Sequence, residues 1–336
     1  MLNLLKSLCL IDGTAGDETA VRDFIINEIK DFCEYKIDNL GNIICFKKGE
    51  KTPVKKVMVD AHTDEVGLII TSVTESGFLK FSCVGGIDVS ALMFRKVKIN
   101  GKINGVISGK PYHLLSADNR KKLPSDSDLY IDIGAKDKAE ALDKISLGDR
   151  AVISSEFVIL GENVKSKALD DRIGCATLIS LLKEDAEYDF YATFTMGEEI
   201  GLRGAKVATY AVNPDSAIVL EGTTAADIAD VPTDKSVCNL GQGVAVSFMD
   251  RSTVYDKDYY NSALQSGLKC QVKRAVAGGN NSGSVHLTRE GVRTIALSVP
   301  CRYIHTANSV ANISDIESQK ELAKYMLNGI CSGSIK

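Results

Sequence analysis

Tryptophan is absent from this 336-residue chain, aromatic residues make up only 6% of it, and histidine occurs four times. A sugar-binding groove lined with stacking rings is therefore poorly supplied, and any imidazole-dependent site must draw on His62, His113, His286 or His305. The nine cysteines are scattered, odd in number and never spaced C-x-x-C, which argues against a disulfide framework or a cysteine zinc knuckle and points to a reducing cytoplasm. No stretch approaches the roughly 18 to 20 consecutive apolar residues of a membrane span. The N-terminal leucines at 2, 4, 5 and 8 are interrupted by Lys6 and followed by no small-residue cleavage site, so an amphipathic helix is expected rather than a signal peptide. With 40 basic against 44 acidic residues, the net charge of −4 supplies no general attraction for nucleic acid or anionic membrane.

What is present is an ordinary globular composition, 44% hydrophobic and 25% charged, long enough for two domains. After the first helix, Gly13 to Asp17 reads as a turn with Asp17 capping a second helix, on which Val21, Phe24, Ile25, Ile29 and Phe32 recur at helical spacing. Residues 35–46 read as a hairpin, and 54–62 as a buried strand delivering His62 to its carboxyl end. From about residue 66 to 164 the pattern becomes short β-rich pieces punctuated by glycine, which predicts a small barrel or sandwich. Within it, 116–128 is polar and aperiodic, a loop carrying the basic cluster Arg120, Lys121 and Lys122. Beyond Ser166, helices and strands alternate, which predicts a sheet covered on both faces. The expected architecture is thus an α/β domain in two segments, 1–66 and 164–336, with a β-rich domain, 67–163, inserted between them.

Chemistry-bearing residues gather at the expected strand ends. In DAHTDEVG, His62 and Asp64 are two apart, so an extended strand points both to one side. In KALDDRIG, Asp170 and Asp171 open a helix, where acids also serve as caps. Glu198 and Glu199 follow a β-rich run, and adjacent carboxylates there repel unless a cation lies near. Glu221 follows the apolar run AIVL, and His305 lies beyond another strand. Any one of these also reads as a cap or a solvated acid. Together they suit the crevice at the carboxyl ends of strands in an open sheet, and two imidazoles with several carboxylates form an N/O donor set suited to zinc, cobalt or manganese.

The blocks AHTDEVG, KALDDRIG, GEEIGLRGA, VLEGTTAADI, GGNN-S-G and CRYIH, in this order, resemble the M42 metallo-aminopeptidases, a branch of the dinuclear zinc-peptidase superfamily some of whose members have been labelled endoglucanases. The resemblance runs over nearly the whole chain. It implies a zinc-peptidase-like mixed-sheet catalytic domain, two divalent ions per subunit, zinc or cobalt, and a peptide substrate cut from its N-terminus. It further implies His62 and Glu221 as ligands of one ion, Glu199 and His305 as ligands of the other, Asp170 as the bridge, Glu198 as general base and Asp64 as the group orienting His62. The inserted domain is implied to mediate dimerisation and assembly of homo-oligomers into tetrahedral shells. Three places depart from the family pattern: Glu221 and Asn281 stand where relatives more often carry aspartate, and HTANS differs from the more usual histidine-serine-proline continuation. His113 and His286 are expected to be structural. The alternatives are a metal-dependent carboxypeptidase or N-acyl amino-acid deacylase, built on the same ions, and, less favoured, an endoglucanase.

Overall fold

A computed structural model of the chain describes residues 1–232 and 234–336. Two helices open it, α1 (Leu2–Leu10) and α2 (Thr19–Ile29). The first buries Leu5, Leu8 and Cys9 and the second Val21, Ile25 and Ile29, stripes at the three-and-four spacing that gives a helix one apolar face. Asp17 does not cap α2. The N-cap position falls to Glu18, whose side chain makes no bond to the helix, while the Asp17 N–H closes a turn on the Thr14 carbonyl.

The expected hairpin follows as β1 (Glu34–Ile37) and β2 (Ile43–Lys47), and then β3 (Val57–His62), buried throughout. The chain next leaves for a closed six-stranded barrel made of β4 (Gly67–Val73), β5 (Leu79–Val84), β6 (Lys96–Ile99), β7 (Ile103–Gly109), β8 (Leu129–Asp132) and, after the short helix α3 (Lys138–Leu142), β9 (Arg150–Ile153). Leu68, Ile70, Leu79, Val97, Ile99, Ile107 and Ile131 fill its interior. The loop expected over 116–128 contains two single 3-10 turns, Asn119–Lys121 and Asp126–Asp128. Pairing returns to the large sheet a few residues before the expected boundary at 163/164, because β10 (Val158–Leu160) and β11 (Asn163–Ser166) form a ribbon that joins it.

The second segment alternates as expected: α4 (Leu169–Lys183), β12 (Phe190–Thr195), α5 (Arg203–Val212), β13 (Ser216–Thr224), β14 (Val244–Ser247), α6 (Lys257–Leu264), β15 (Cys270–Lys273), α7 (Ser282–Val285), β16 (Arg293–Arg302), β17 (Ser309–Asn312) and α8 (Ile313–Ser332). Among the described residues eleven strands make one mixed sheet, with parallel β12, β3, β13 and β16 at its centre. The alternation of β3 shows how both faces are covered. Val57, Val59 and Ala61 enter the core shared with α1, α2, α4 and α8, while Met58 packs with Ala205 and Ala208 of α5 and Val285 of α7. Helix α4 alone buries Leu169, Ile173, Leu178, Ile179 and Leu182, each worth about 1.5–3 kcal/mol when removed from water, which anchors it in the core. Among the described residues no helix is long and apolar enough to cross a membrane.

Candidate functional site

Five elements converge at the carboxyl ends of the central parallel strands. His62 is the last residue of β3, and Thr195, its partner in register, ends β12 just before the turn carrying Glu198 and Glu199. Glu221 sits inside β13 rather than beyond it, because pairing with β16 continues to Thr224. Asp170 opens α4, and His305 lies three residues past β16.

The two imidazoles face one carboxylate from opposite sides. Nε2 of His62 is 3.6 Å from Asp170 Oδ1 and 3.6 Å from Glu221 Oε2. Nε2 of His305 is 3.7 Å from Asp170 Oδ2 and 3.3 Å from Glu199 Oε1. Each ring turns its other nitrogen to an oxygen, His62 Nδ1 to the Asp64 carbonyl at 3.1 Å and His305 Nδ1 to the Gly86 carbonyl at 2.7 Å. That fixes the orientation of both rings and leaves both Nε2 atoms toward the shared carboxylate. His113, exposed in a 3-10 turn, and His286, bonded through Nδ1 to the Ser282 carbonyl, stay outside the cluster.

The structure separates the two aspartates that the sequence left side by side. Asp171 is fully buried and receives backbone N–H groups on both oxygens, from Gly174 at 2.9 Å and His62 at 3.2 Å, so it is the helix cap although it also lies near His62 and Glu221. Asp170 receives only the Gly222 N–H, at 3.1 Å on Oδ1, and otherwise faces the imidazoles. Asp64 lies beyond the end of β3, so the alternation argument does not apply to it. Its Oδ1 approaches His62 Nδ1 at 3.3 Å, but its two oxygens also accept the backbone N–H groups of Glu198 and Glu199, each at 3.0 Å.

Electrostatically the cluster is over-supplied with negative charge. Burial is the main cause that pushes Glu198 up to about 7 and Glu199 up to about 8, with neighbouring carboxylates adding to it against the pull of the imidazoles. Burial also raises Glu221 well above the ordinary carboxyl range. For His305 burial acts the other way, yet Asp170 and Glu199 hold it up to about 9. Glu221 Oε1 is buried with no hydrogen-bond partner, an arrangement that costs stability unless a cation or a donor meets it. The nitrogen and carboxylate donors, the orphaned oxygen and the excess charge all fit divalent cations.

Sequence reading missed the supports behind this cluster. Glu65 accepts Lys167 Nζ at 2.5 Å and the Gly13 N–H at 3.1 Å, tying the end of β3 to the segment that leads into Asp170. Arg172, fully buried, spans from the Thr63 carbonyl to those of Leu8 and Ile11. Asn281 Nδ2 donates to Asp60 Oδ2 at 2.8 Å and to Thr195 Oγ1 at 2.9 Å, so a neutral amide faces a buried carboxylate there. Ala168, Tyr303 and His305, none of them glycine, adopt left-handed backbone at φ 53, 56 and 60, beside Asp170 and at the second imidazole.

The family model described as M42 glutamyl aminopeptidase matches residues 41–322. The chain is 38% identical to a protein of Acetivibrio thermocellus over 98% of each chain. It is 31% identical to the lysyl aminopeptidase of Pyrococcus furiosus over 96% of each, and 31% identical to the glutamyl aminopeptidase of Lactococcus lactis over 94% of this chain and 92% of that one. The structure of the Pyrococcus horikoshii TET1 peptidase, described as able to assemble into a tetrahedron or a large octahedral shell, superposes with a TM-score of 0.84 at 33% identity, covering 97% of this chain and 98% of that one.

Proposed function

The chain belongs to the M42 glutamyl aminopeptidase family, and from that membership we propose that it is a metal-dependent aminopeptidase removing N-terminal residues from peptides. The observation that carries the reading is the division of Asp170, one oxygen toward His62 and the other toward His305, which suits a carboxylate shared by two ions. His62 and Glu221 would hold one ion, His305 and Glu199 the other, zinc and cobalt being the best matches to these donors. When bound, such a pair lowers the pKa of a water molecule toward neutrality and polarises the scissile carbonyl.

The rest is done by the protein's own groups. Glu198 Oε takes a proton from the attacking water and returns it to the leaving amine. Asp64 and the Gly86 carbonyl keep both imidazole Nε2 atoms directed inward. Glu199 binds rather than shuttles protons, because its oxygen faces His305. Relatives named for lysyl and for glutamyl substrates are equally distant, so the preferred N-terminal residue follows from local side chains rather than from the family frame. The assembly described for the TET1 relative supports a homo-oligomer here, and the free cysteines suit a reducing cytoplasm.

The test is a panel of aminoacyl anilides compared with N-acylated amino acids and C-terminally free peptides blocked at the amine, with elemental analysis of the protein. Cleavage of the anilides, abolished by a chelator and restored by zinc or cobalt at two ions per chain, is the expected result. Preference for the N-acylated or amine-blocked substrates would replace this reading with a deacylase or carboxypeptidase.

A further inference from the structure

The turn that carries Glu198 and Glu199 is gripped by carboxylates through three successive peptide N–H groups. Asp64 takes two of them, those of Glu198 and Glu199. The third, from Gly197, goes at 3.2 Å to Oε1 of Glu18, a residue 179 positions earlier in the chain and outside the part of it that matches the family model. The other oxygen of Glu18 accepts the Gly16 N–H at 2.9 Å. Glu18 is only 5% exposed and spends neither oxygen on its own helix, although it occupies the N-cap position of α2. A long carboxyl side chain buried at a helix start, yet turned away from that helix, calls for another explanation than capping.

We propose that Glu18 is a positioning residue for the general base: it fixes Gly197, and through Gly197 the direction in which the Glu198 side chain leaves the backbone. The geometry of the turn makes this contact decisive. Gly197 has a left-handed backbone, φ +64, which no side chain stabilises and which glycine alone adopts at little cost. Its carbonyl is held by the Arg203 N–H at 3.2 Å and its N–H by Glu18, so the two peptide planes flanking this flexible residue are clamped from opposite sides. The first plane is also held at its carbonyl end, where Met196 O accepts the Gly204 N–H at 2.9 Å, so losing Glu18 leaves it fixed at one end and able to tilt one residue before the base. Asp64 still holds the N–H groups of Glu198 and Glu199, so Glu199 keeps its place and the tilt is absorbed at Gly197 and at the φ of Glu198, which sets where its carboxylate points. A charged acceptor bonded to a peptide N–H is among the stronger hydrogen bonds, and its loss from a buried position leaves that N–H unpaired.

The inference rests on the aminopeptidase reading, and the experiment separates the two. The wild-type protein is assayed first on aminoacyl anilides, and inactivity there sinks the reading itself. With an active wild type, Glu18→Ala is expected to lower kcat by roughly 10- to 100-fold, the scale of a misplacement near 1 Å at a reacting group. KM and metal stoichiometry should stay unchanged. Glu18→Gln, which keeps one carbonyl oxygen for Gly197, should recover most of the lost rate. Independently of activity, amide hydrogen exchange in the peptide spanning residues 195–203 of the metal-free protein should accelerate in Glu18→Ala more than exchange in α2. If Glu18→Ala loses only thermal stability, with kcat intact and exchange raised in α2 alone, Glu18 is a structural residue and the proposal fails. It fails equally if the variant loses metal, since the contact would then hold the ligand Glu199 and not the base.

Discussion

The two imidazole ends of the site are built by different means. His62 stands on a central strand, its side chain 1% exposed, its ring held by the carbonyl of a residue two positions on. His305 stands on a loop in a left-handed conformation, its side chain 31% exposed, its ring held by the Gly86 carbonyl 219 residues earlier, at the barrel corner after β5. One end is part of the sheet. The other exists only where the barrel meets the sheet, and that difference teaches that paired imidazoles need not share stability: the His62 end is set by the fold of one domain, the His305 end by the docking of two.

The largest effect is expected at neither end but between them. Glu198→Gln should lower kcat by about 10²- to 10⁴-fold, the usual worth of a proton-transfer group, while elemental analysis still finds the full metal content. Wild-type turnover in that variant would remove Glu198 from the mechanism. Next, His62→Ala and His305→Ala should diverge. The first leaves Asp170, Glu221 and Asp171 buried together and should cost the whole metal content and several degrees of Tm; the second should lose one ion with a small change in Tm. Equal metal losses in the two variants would erase the asymmetry.

Gly222→Ala presses on the element common to both ends, since a Cβ there would stand 3.0 Å from Asp170 Cβ and Oδ1. Metal affinity should fall at both positions together, by about 10- to 100-fold as for other disturbances just behind a metal ligand, measured by competition with a fluorescent chelator. The pH dependence has a definite sign. Without metal, burial raises the carboxyl of Glu199 to about 8 while Asp170 and Glu199 raise the imidazole of His305 to about 9, so the pair carries proton at neutral pH that an ion must displace. Affinity should therefore rise with pH toward 9 and fall on acidification, with proton release on binding visible by calorimetry in buffers of different ionisation enthalpy. The smallest effect is expected for Gly86→Ala. Its Cβ would meet His305 Nδ1 at 3.6 Å, an ordinary contact, and the orienting carbonyl remains, so kcat should change less than about twofold by the criterion of an undisturbed hydrogen bond.

The ligand-like residues were legible because each sits beside a strongly patterned strand or helix, and local periodicity is a property of neighbours in sequence. The order of helices and strands, and the β-rich insertion, came through for the same reason. Three features did not. Glu221 reads as the residue after a strand because AIVL is the apolar part, whereas the strand's true end is set by its neighbour β16. The capping role in KALDDRIG falls to Asp171, and no local rule distinguishes two adjacent acids at a helix start. Asp17 looked like a cap by residue type, but the N-cap position falls one residue later and the side chain there, Glu18, reaches a distant turn. The contacts of Gly86 and Glu18 are made through backbone atoms, which every residue possesses, so residue identity carries no mark of them.

Because the acceptor that orients His305 belongs to the barrel's backbone, the insertion is not an exchangeable cassette. A chimera that imports the barrel of a relative must import, at the corner after its second strand, a carbonyl at the same height above the sheet; a graft that folds but shifts this corner would leave the His305 ring without the acceptor that turns it inward.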